Sequence, residues 1–209
     1  MTEAIQKKNF FRDSSLGQAW LVLIMAIVFG ALLALVQITL SPKIAANMQA
    51  ETFSAVPVLV YGENKVPADV KVETTAVTVK SGGRDLAYPV YVVRSDGEIT
   101  GFAVKGAIMG YADNIELLVG FNADVSEVTG IFVVYQKETP GLGSKITETG
   151  WNGQFTGKST AAPLAVNSRD AKSNIDSISG ATISSVAVTD IVNNIVRDVK
   201  SELIKKAGE

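Results

Sequence analysis

The strongest constraint on this chain is a run without a single charged residue, positions 14–42, within which residues 19–40 (AWLVLIMAIVFGALLALVQITL) are almost wholly apolar. A helix rises about 1.5 Å per residue, so this stretch spans the roughly 30 Å of bilayer hydrocarbon. The run predicts a transmembrane helix over residues 19–41 with Pro42 as its stop. A cleaved signal peptide has an apolar core of only about 7 to 15 residues closed by a small-x-small site, which this run exceeds and lacks. Lys7, Lys8 and Arg12 precede the span and only Lys43 lies close behind it. The positive-inside bias therefore places residues 1–18 in the cytoplasm and residues 43–209 outside it, as a single-pass protein of the cell's inner (cytoplasmic) membrane.

Beyond the anchor, residues 43–209 are of a length for one compact domain. Residues 43 to 80 read as a helix leaving the membrane, followed by irregular chain and strand. From Tyr88 the punctuation of a β-hairpin is plain: PVYVV, the turn Ser95-Asp96-Gly97-Glu98, then ITGFAVKG. A second copy follows, with IELLVGF, a polar turn over residues 122–127, and VTGIFVVY; ITGF at 99–102 matches VTGI at 128–131. Four antiparallel strands are expected, with Gly101 and Gly130 at bulges or close approaches. Near the C-terminus, apolar positions 188, 191, 192, 195, 199 and 203 keep helical spacing, with basic residues enriched towards the end. The fold class is α+β: an antiparallel sheet with flanking helices, preceded by one transmembrane helix.

Two absences narrow the chemistry: the chain has no Cys and no His. It therefore has no disulfide, thiolate nucleophile, iron–sulfur ligand or cysteinyl zinc site, and it lacks the usual general base and haem ligand. Redox chemistry would need a bound cofactor. A net charge of −2 leaves no broad basic surface, which argues against nucleic acid as a partner.

Two segments remain as candidate chemistry. Residues 176–185 (DSISGATISS) form a hydroxyl-rich, Gly-containing turn opening the last helix, where free backbone N–H groups and the positive end of the helix dipole suit a phosphate. Ordinary helix capping explains the same residue types. The second is the loop Glu138-Thr139-Pro140-Gly141-Leu142-Gly143 after a strand, which also reads as a plain Pro-Gly type II turn.

Asp176-x-x-Ser179-Gly180-Ala181-Thr182 resembles the D-x-x-S-G-A-T acceptor motif of covalent FMN-binding domains, in which a flavin transferase joins FMN to the final Thr hydroxyl as a phosphoester. The ETPGLG loop, GYADNIELLVGF at 110–121 and the following VTGIFVV resemble the same family. With its N-terminal anchor and compact domain, the chain is similar to the G subunit of Rnf-type ion-translocating ferredoxin:NAD oxidoreductases, the C subunit of the sodium-translocating NADH:quinone reductase being the near alternative. The resemblance implies an electron-carrying subunit with FMN on Thr182, surrounded at its phosphate by Ser179, Gly180, Ala181 and Ser185. Thr139, Pro140, Gly141 and Leu142 would wall the ring, with Glu138 shaping the loop. Partner membrane and peripheral subunits would supply ferredoxin and NAD binding, and Asp176 would serve the transferase. Trp151 and Lys158 are weaker candidates. The family often has His where this chain has Gln136, and Gly-Gly-Pro where it has Ala112-Asp113-Asn114. A membrane-tethered binding or scaffold module without flavin, and a free-standing FMN-domain reductase, are the rivals.

Overall fold

A computed structural model describes residues 15–62, 65–81 and 84–208. Lys7, Lys8 and Arg12 lie outside the described residues. The chain divides between Gln49 and Ala50 into two compact units.

Helix α1 runs over Ser15–Tyr61. In the first unit every residue from 19 to 40 is exposed, Leu33 and Ile38 by more than two thirds. A helix apolar all round with nothing covering it has the character of a membrane span. Among the described residues it is the one helix long and apolar enough to cross a bilayer. Its Thr39 hydroxyl donates to the carbonyls of Leu35 (2.9 Å) and Val36 (3.1 Å), satisfying a polar group within its own helix.

The expectation that Pro42 stops this helix is corrected. The helix passes through Pro42 and continues for five further turns. An interior proline costs about 3 kcal/mol through a lost hydrogen bond and a clash with the preceding turn. Beyond Pro42 the helix is held by burial at its far end, where tertiary packing outweighs propensity. Val56 is fully buried there, Phe53, Leu59, Val60 and Tyr61 pack around it, and the Phe53 ring meets Tyr91 edge-on at 5.5 Å.

The second unit is built on a six-stranded antiparallel meander in the order β1 to β6: β1 (Lys71–Ser81), β2 (Arg84–Ser95), β3 (Glu98–Met109), β4 (Asn114–Asn122), β5 (Glu127–Tyr135) and β6 (Lys158–Ser159). β1, at the end of the segment where a strand is expected to follow the helix, pairs along the whole of β2, and the short β6 adds to β5. The β2–β3 turn is Asp96-Gly97 with φ of 51° and 86°, positive at both positions as a type I′ hairpin requires. A short α2 (Thr149–Asn152), a parallel pair β7 (Ala165–Val166) and β8 (Asn174–Ile175), and helix α3 (Thr182–Ala207) complete the unit.

Both faces of the sheet are covered. Val90, Val92, Phe102, Val104, Leu117, Val119 and Phe121 pack under α3, whose Val188, Ile191, Val192, Ile195, Val199 and Leu203 are buried, as their spacing predicts. Tyr91, Val93, Ala103 and Leu118 point to the other face, beneath the end of α1. Burial on two sides explains why β2 and β4 read as continuous apolar runs. The tie between α3 and β2 is polar: the Tyr88 hydroxyl donates to Asp198 Oδ2 at 2.8 Å. Burial, reinforced by that carboxylate, pushes the Tyr88 hydroxyl up to about 12, while the Arg197 guanidinium holds Asp198 below the usual carboxylate range.

The repeated Ile/Val-Thr-Gly segments have one structural meaning. Val93 pairs with Gly101 and Arg94 with Ile99, leaving Thr100 as an extra residue. Gly120 pairs with Gly130 and Phe121 with Val128, leaving Thr129 extra in the same way. Each bulge flips the side-chain alternation, so Ile99 and Phe102, and likewise Val128 and Ile131, all reach the α3 side although they are three apart. The glycines are also close approaches: a Cβ on Gly101 would lie 2.5 Å from Val60 Cγ1, and one on Gly130 would lie 3.2 Å from Leu59 Cδ1.

Candidate functional site

The site forms where three loops converge at one end of the sheet: residues 110–113 between β3 and β4, residues 136–143 after β5, and the turn that starts α3. Ile178 to Ala181 make a β-turn closed by Ala181 N–H donating to the Ile178 carbonyl at 3.0 Å, with Gly180 third at φ 76°. That conformation is what requires glycine there, because a Cβ is disfavoured at positive φ. Sequence reasoning assigned Gly180 to close phosphate approach; the backbone turn is a sufficient cause by itself.

Ser185 locks this turn from below. Its hydroxyl accepts the Ile178 N–H and donates to the Ala181 carbonyl, both at 3.0 Å, and the residue is fully buried. The structure thus gives Ser185 an internal hydrogen-bonding duty, away from the cleft. The helix N-cap is Ala181, which offers no side-chain cap. Thr182 follows as the first helical residue; it is exposed and its hydroxyl makes no hydrogen bond among the described residues. Ordinary helix capping therefore does not account for Thr182, and the hydroxyl stands free beside the unpaired N–H groups of a first helical turn.

In the 138–143 loop, Leu142 N–H donates to the Thr139 carbonyl at 3.1 Å around Pro140-Gly141, with Gly141 at φ 74°, as a Pro-Gly type II turn needs. Glu138 ties the three loops together. It is 4% exposed; Oε1 accepts the Ala112 N–H at 3.0 Å and Oε2 accepts the Ser184 hydroxyl at 2.6 Å. Gln136 in turn receives the Glu138 N–H at 2.7 Å through its side-chain oxygen. Two of the positions where this chain departs from the family pattern, Gln136 and Ala112, therefore hold Glu138. Gly143 lets the loop close: a Cβ there would fall 2.6 Å from Ser184 Oγ and 2.7 Å from Glu138 Oε2. Nearby, Asp113 is held below the usual carboxylate range by the Asn114 N–H (2.7 Å), the Tyr135 hydroxyl (3.1 Å) and Lys137.

Between these elements lies a cleft of about 580 Å³. Its volume falls in the range of small-molecule sites, which is roughly 300 to 1,000 Å³. Of the residues expected from sequence, Glu138, Thr139, Leu142, Gly180, Ala181 and Thr182 line it, whereas Pro140, Gly141, Ser179 and Ser185 do not. Sequence reasoning missed Tyr111, Gly143, Ile183 and Ser184 as lining residues. All four lay in segments already singled out; what had no local signal was the bond from Ser184 to Glu138, 46 positions away. Tyr111, Leu142 and Ile183 expose large apolar surfaces at the rim, 67%, 43% and 56% exposed. Thr182 and Ile183 also border a second groove of about 240 Å³ with Ile108, Met109 and Val186. Trp151 and Lys158 stand apart. Trp151 is core, stacked edge-on with Phe155, and its indole N–H donates to the Asp176 carbonyl at 2.7 Å; Lys158 donates to the Ala171 carbonyl.

The residues fit a flavin mononucleotide: an apolar-rimmed cleft of suitable volume adjoins a free hydroxyl and the N-terminus of a long helix. Residues 110–197 match the FMN-binding domain family, so fold and site define a membrane-span protein with an FMN-binding domain. The chain is 34% identical over 193 residues to the G subunit of the ion-translocating oxidoreductase complex of Pseudomonas aeruginosa, covering 89% of each. It belongs to that family of G subunits. It is 44% identical over 108 residues to the G subunit of the Na(+)-translocating ferredoxin:NAD(+) oxidoreductase complex of Acetobacterium woodii, and there the match spans about half of each chain, 50% and 51%. Among solved structures it resembles NqrC of Shewanella oneidensis, with TM-score 0.51 and 22% identity over 64% of this chain and 69% of that one. At that identity the likeness concerns the fold.

Proposed function

We propose that this chain is the electron-carrying flavoprotein subunit of a membrane-bound, ion-translocating ferredoxin:NAD oxidoreductase, with FMN esterified through its phosphate to Thr182. When bound, FMN supplies the capacity to accept and release electrons. The observation that carries the reading is the free, exposed Thr182 hydroxyl at the mouth of the cleft, in a turn pinned by Gly180 and Ser185. Ester formation joins Thr182 Oγ to phosphorus with net loss of one water, and a flavin transferase would carry it out. Thr139 and Leu142 with Tyr111 would border the ring, Ala181 and the first-turn N–H groups of α3 would hold the phosphate, and Glu138 holds the loops in place. Ser179 is exposed within the turn that starts α3, and Asp176, also exposed, would serve the transferase. The α1 span anchors the domain, with residues 1–18 cytoplasmic and residues 43–209 outside. Ferredoxin and NAD would be handled by other subunits of the complex, as the name of the Acetobacterium woodii relative suggests. The similarity to the Pseudomonas aeruginosa G subunit along 89% of the chain favours this assembly over the quinone reductase, for which the support is fold likeness.

Intact-mass spectrometry of the chain produced with a flavin transferase tests the reading. The expected result is a gain of one FMN less one water, mapping to the peptide that holds Thr182. An unmodified mass under those conditions would overturn the covalent assignment.

A further inference from the structure

The charge distribution of the cleft bears on the redox chemistry it can support. Among the described residues that line it, Glu138 is the one carboxylate, and no lysine or arginine is present. The carboxylate is 4% exposed and lies between two donors on different elements, the Ala112 N–H and the Ser184 hydroxyl. Lys137, the next residue in the chain, is engaged elsewhere, 3.5 Å from Asp113 and over the Tyr135 ring. Compensation for Glu138 thus comes from neutral dipoles and the positive end of α3, in a place where solvent screens little.

We propose that Glu138 sets the reduction potential of the flavin in this cleft by holding a fixed negative charge against its reduced form. The proposal rests on FMN occupying the cleft. Two-electron reduction with uptake of one proton from solvent adds one negative charge to the flavin. A buried carboxylate close by disfavours that added charge and lowers the potential, making the reduced form a stronger donor. The loop-holding role and the electrostatic role are separable. Glu138→Gln has the same shape: its amide oxygen accepts the Ala112 N–H, and its amide nitrogen donates to Ser184 Oγ once that hydroxyl turns. Packing and both hydrogen bonds persist, and the charge is gone.

The test is dye-linked potentiometry of the full-length chain in detergent, flavinylated in advance and titrated with dithionite at neutral pH. Glu138→Gln is expected to shift the two-electron equilibrium at least tenfold towards the reduced form, about 30 mV upward. Because the charge is buried, the difference should persist at high salt. Ser184→Ala removes a donor that partly offsets the carboxylate and is expected to move the potential the other way. An unchanged or lowered potential in Glu138→Gln overturns the proposal, as do shifts of the same sign in both variants, which would indicate general loosening. If Glu138→Gln does not retain flavin, Ser184→Ala decides alone, and an unchanged or raised potential is then the refuting result. A wild-type chain without flavin fluorescence would instead defeat the reading of the cleft as an FMN site.

Discussion

Replacing Thr182 by alanine should abolish covalent flavin while leaving the fold untouched. Loss of a capping hydroxyl would destabilise by about 0.5 to 2 kcal/mol, but that figure belongs to an N-cap residue. In this protein the N-cap is Ala181, and Thr182 is an exposed first-turn residue whose hydroxyl bonds to nothing among the described residues. The expected change is therefore that of a surface substitution, within about 0.5 kcal/mol, with alanine's better helix propensity pulling towards stabilisation. For a domain of this size that is a shift of no more than about 2 °C in Tm. Melts should compare both proteins without transferase, so that flavin binding does not enter the difference. With transferase, Thr182→Ser should keep some flavin because it retains a hydroxyl, and Thr182→Val should lose it while keeping the shape. In-gel fluorescence of the denatured chain reads the outcome. A fluorescent Ala or Val variant would refute the assignment and point to Ser179, since Ser184 and Ser185 are buried with their hydroxyls engaged. A drop in Tm well beyond 2 °C would refute the reasoning about the cap.

A chain starting near Ala45 should be soluble and still accept flavin, because it keeps Phe53, Val56, Leu59 and Val60 on the sheet. One starting after Tyr61 should lose several kcal/mol, at about 1.5 to 3 kcal/mol per fully buried aliphatic side chain, and show it in chemical denaturation. A C-terminal reporter active only in the cytoplasm should be silent on the full chain; activity would invert the proposed topology. The folded state raises the Tyr88 hydroxyl to about 12, so its contribution is complete below the ordinary tyrosine value of 10.0 and is lost as pH rises through about 12. Tyr88→Phe should therefore flatten the alkaline end of a stability–pH profile measured by urea midpoint. Asp198 works in the opposite sense: its lowered carboxyl contributes above the ordinary value of 3.8 and fades as pH falls below it.

What the sequence determined by itself about this protein is local in origin. An uncharged apolar run is long enough for a bilayer whatever surrounds it, Asp96-Gly97 permits the positive φ pair of a tight hairpin, Pro140-Gly141 makes its turn, and the i, i+3, i+4 spacing marks the buried face of α3. Even the bulges were visible, as glycines in a repeated ITGF/VTGI pattern. Tertiary structure decided what depends on partners far along the chain. Pro42 does not end α1, and the part of the helix beyond it is held by burial some fifteen residues later, which no local propensity contains. Ser185, attractive as a phosphate ligand in sequence, is turned inward by the β-turn it braces. Glu138 meets Ser184 across 46 positions of sequence, and Ala112 across 26. A buried carboxylate must find its donors wherever the fold brings them, so Glu138 could be named from the family resemblance as shaping its loop, while the donors it ties together could not.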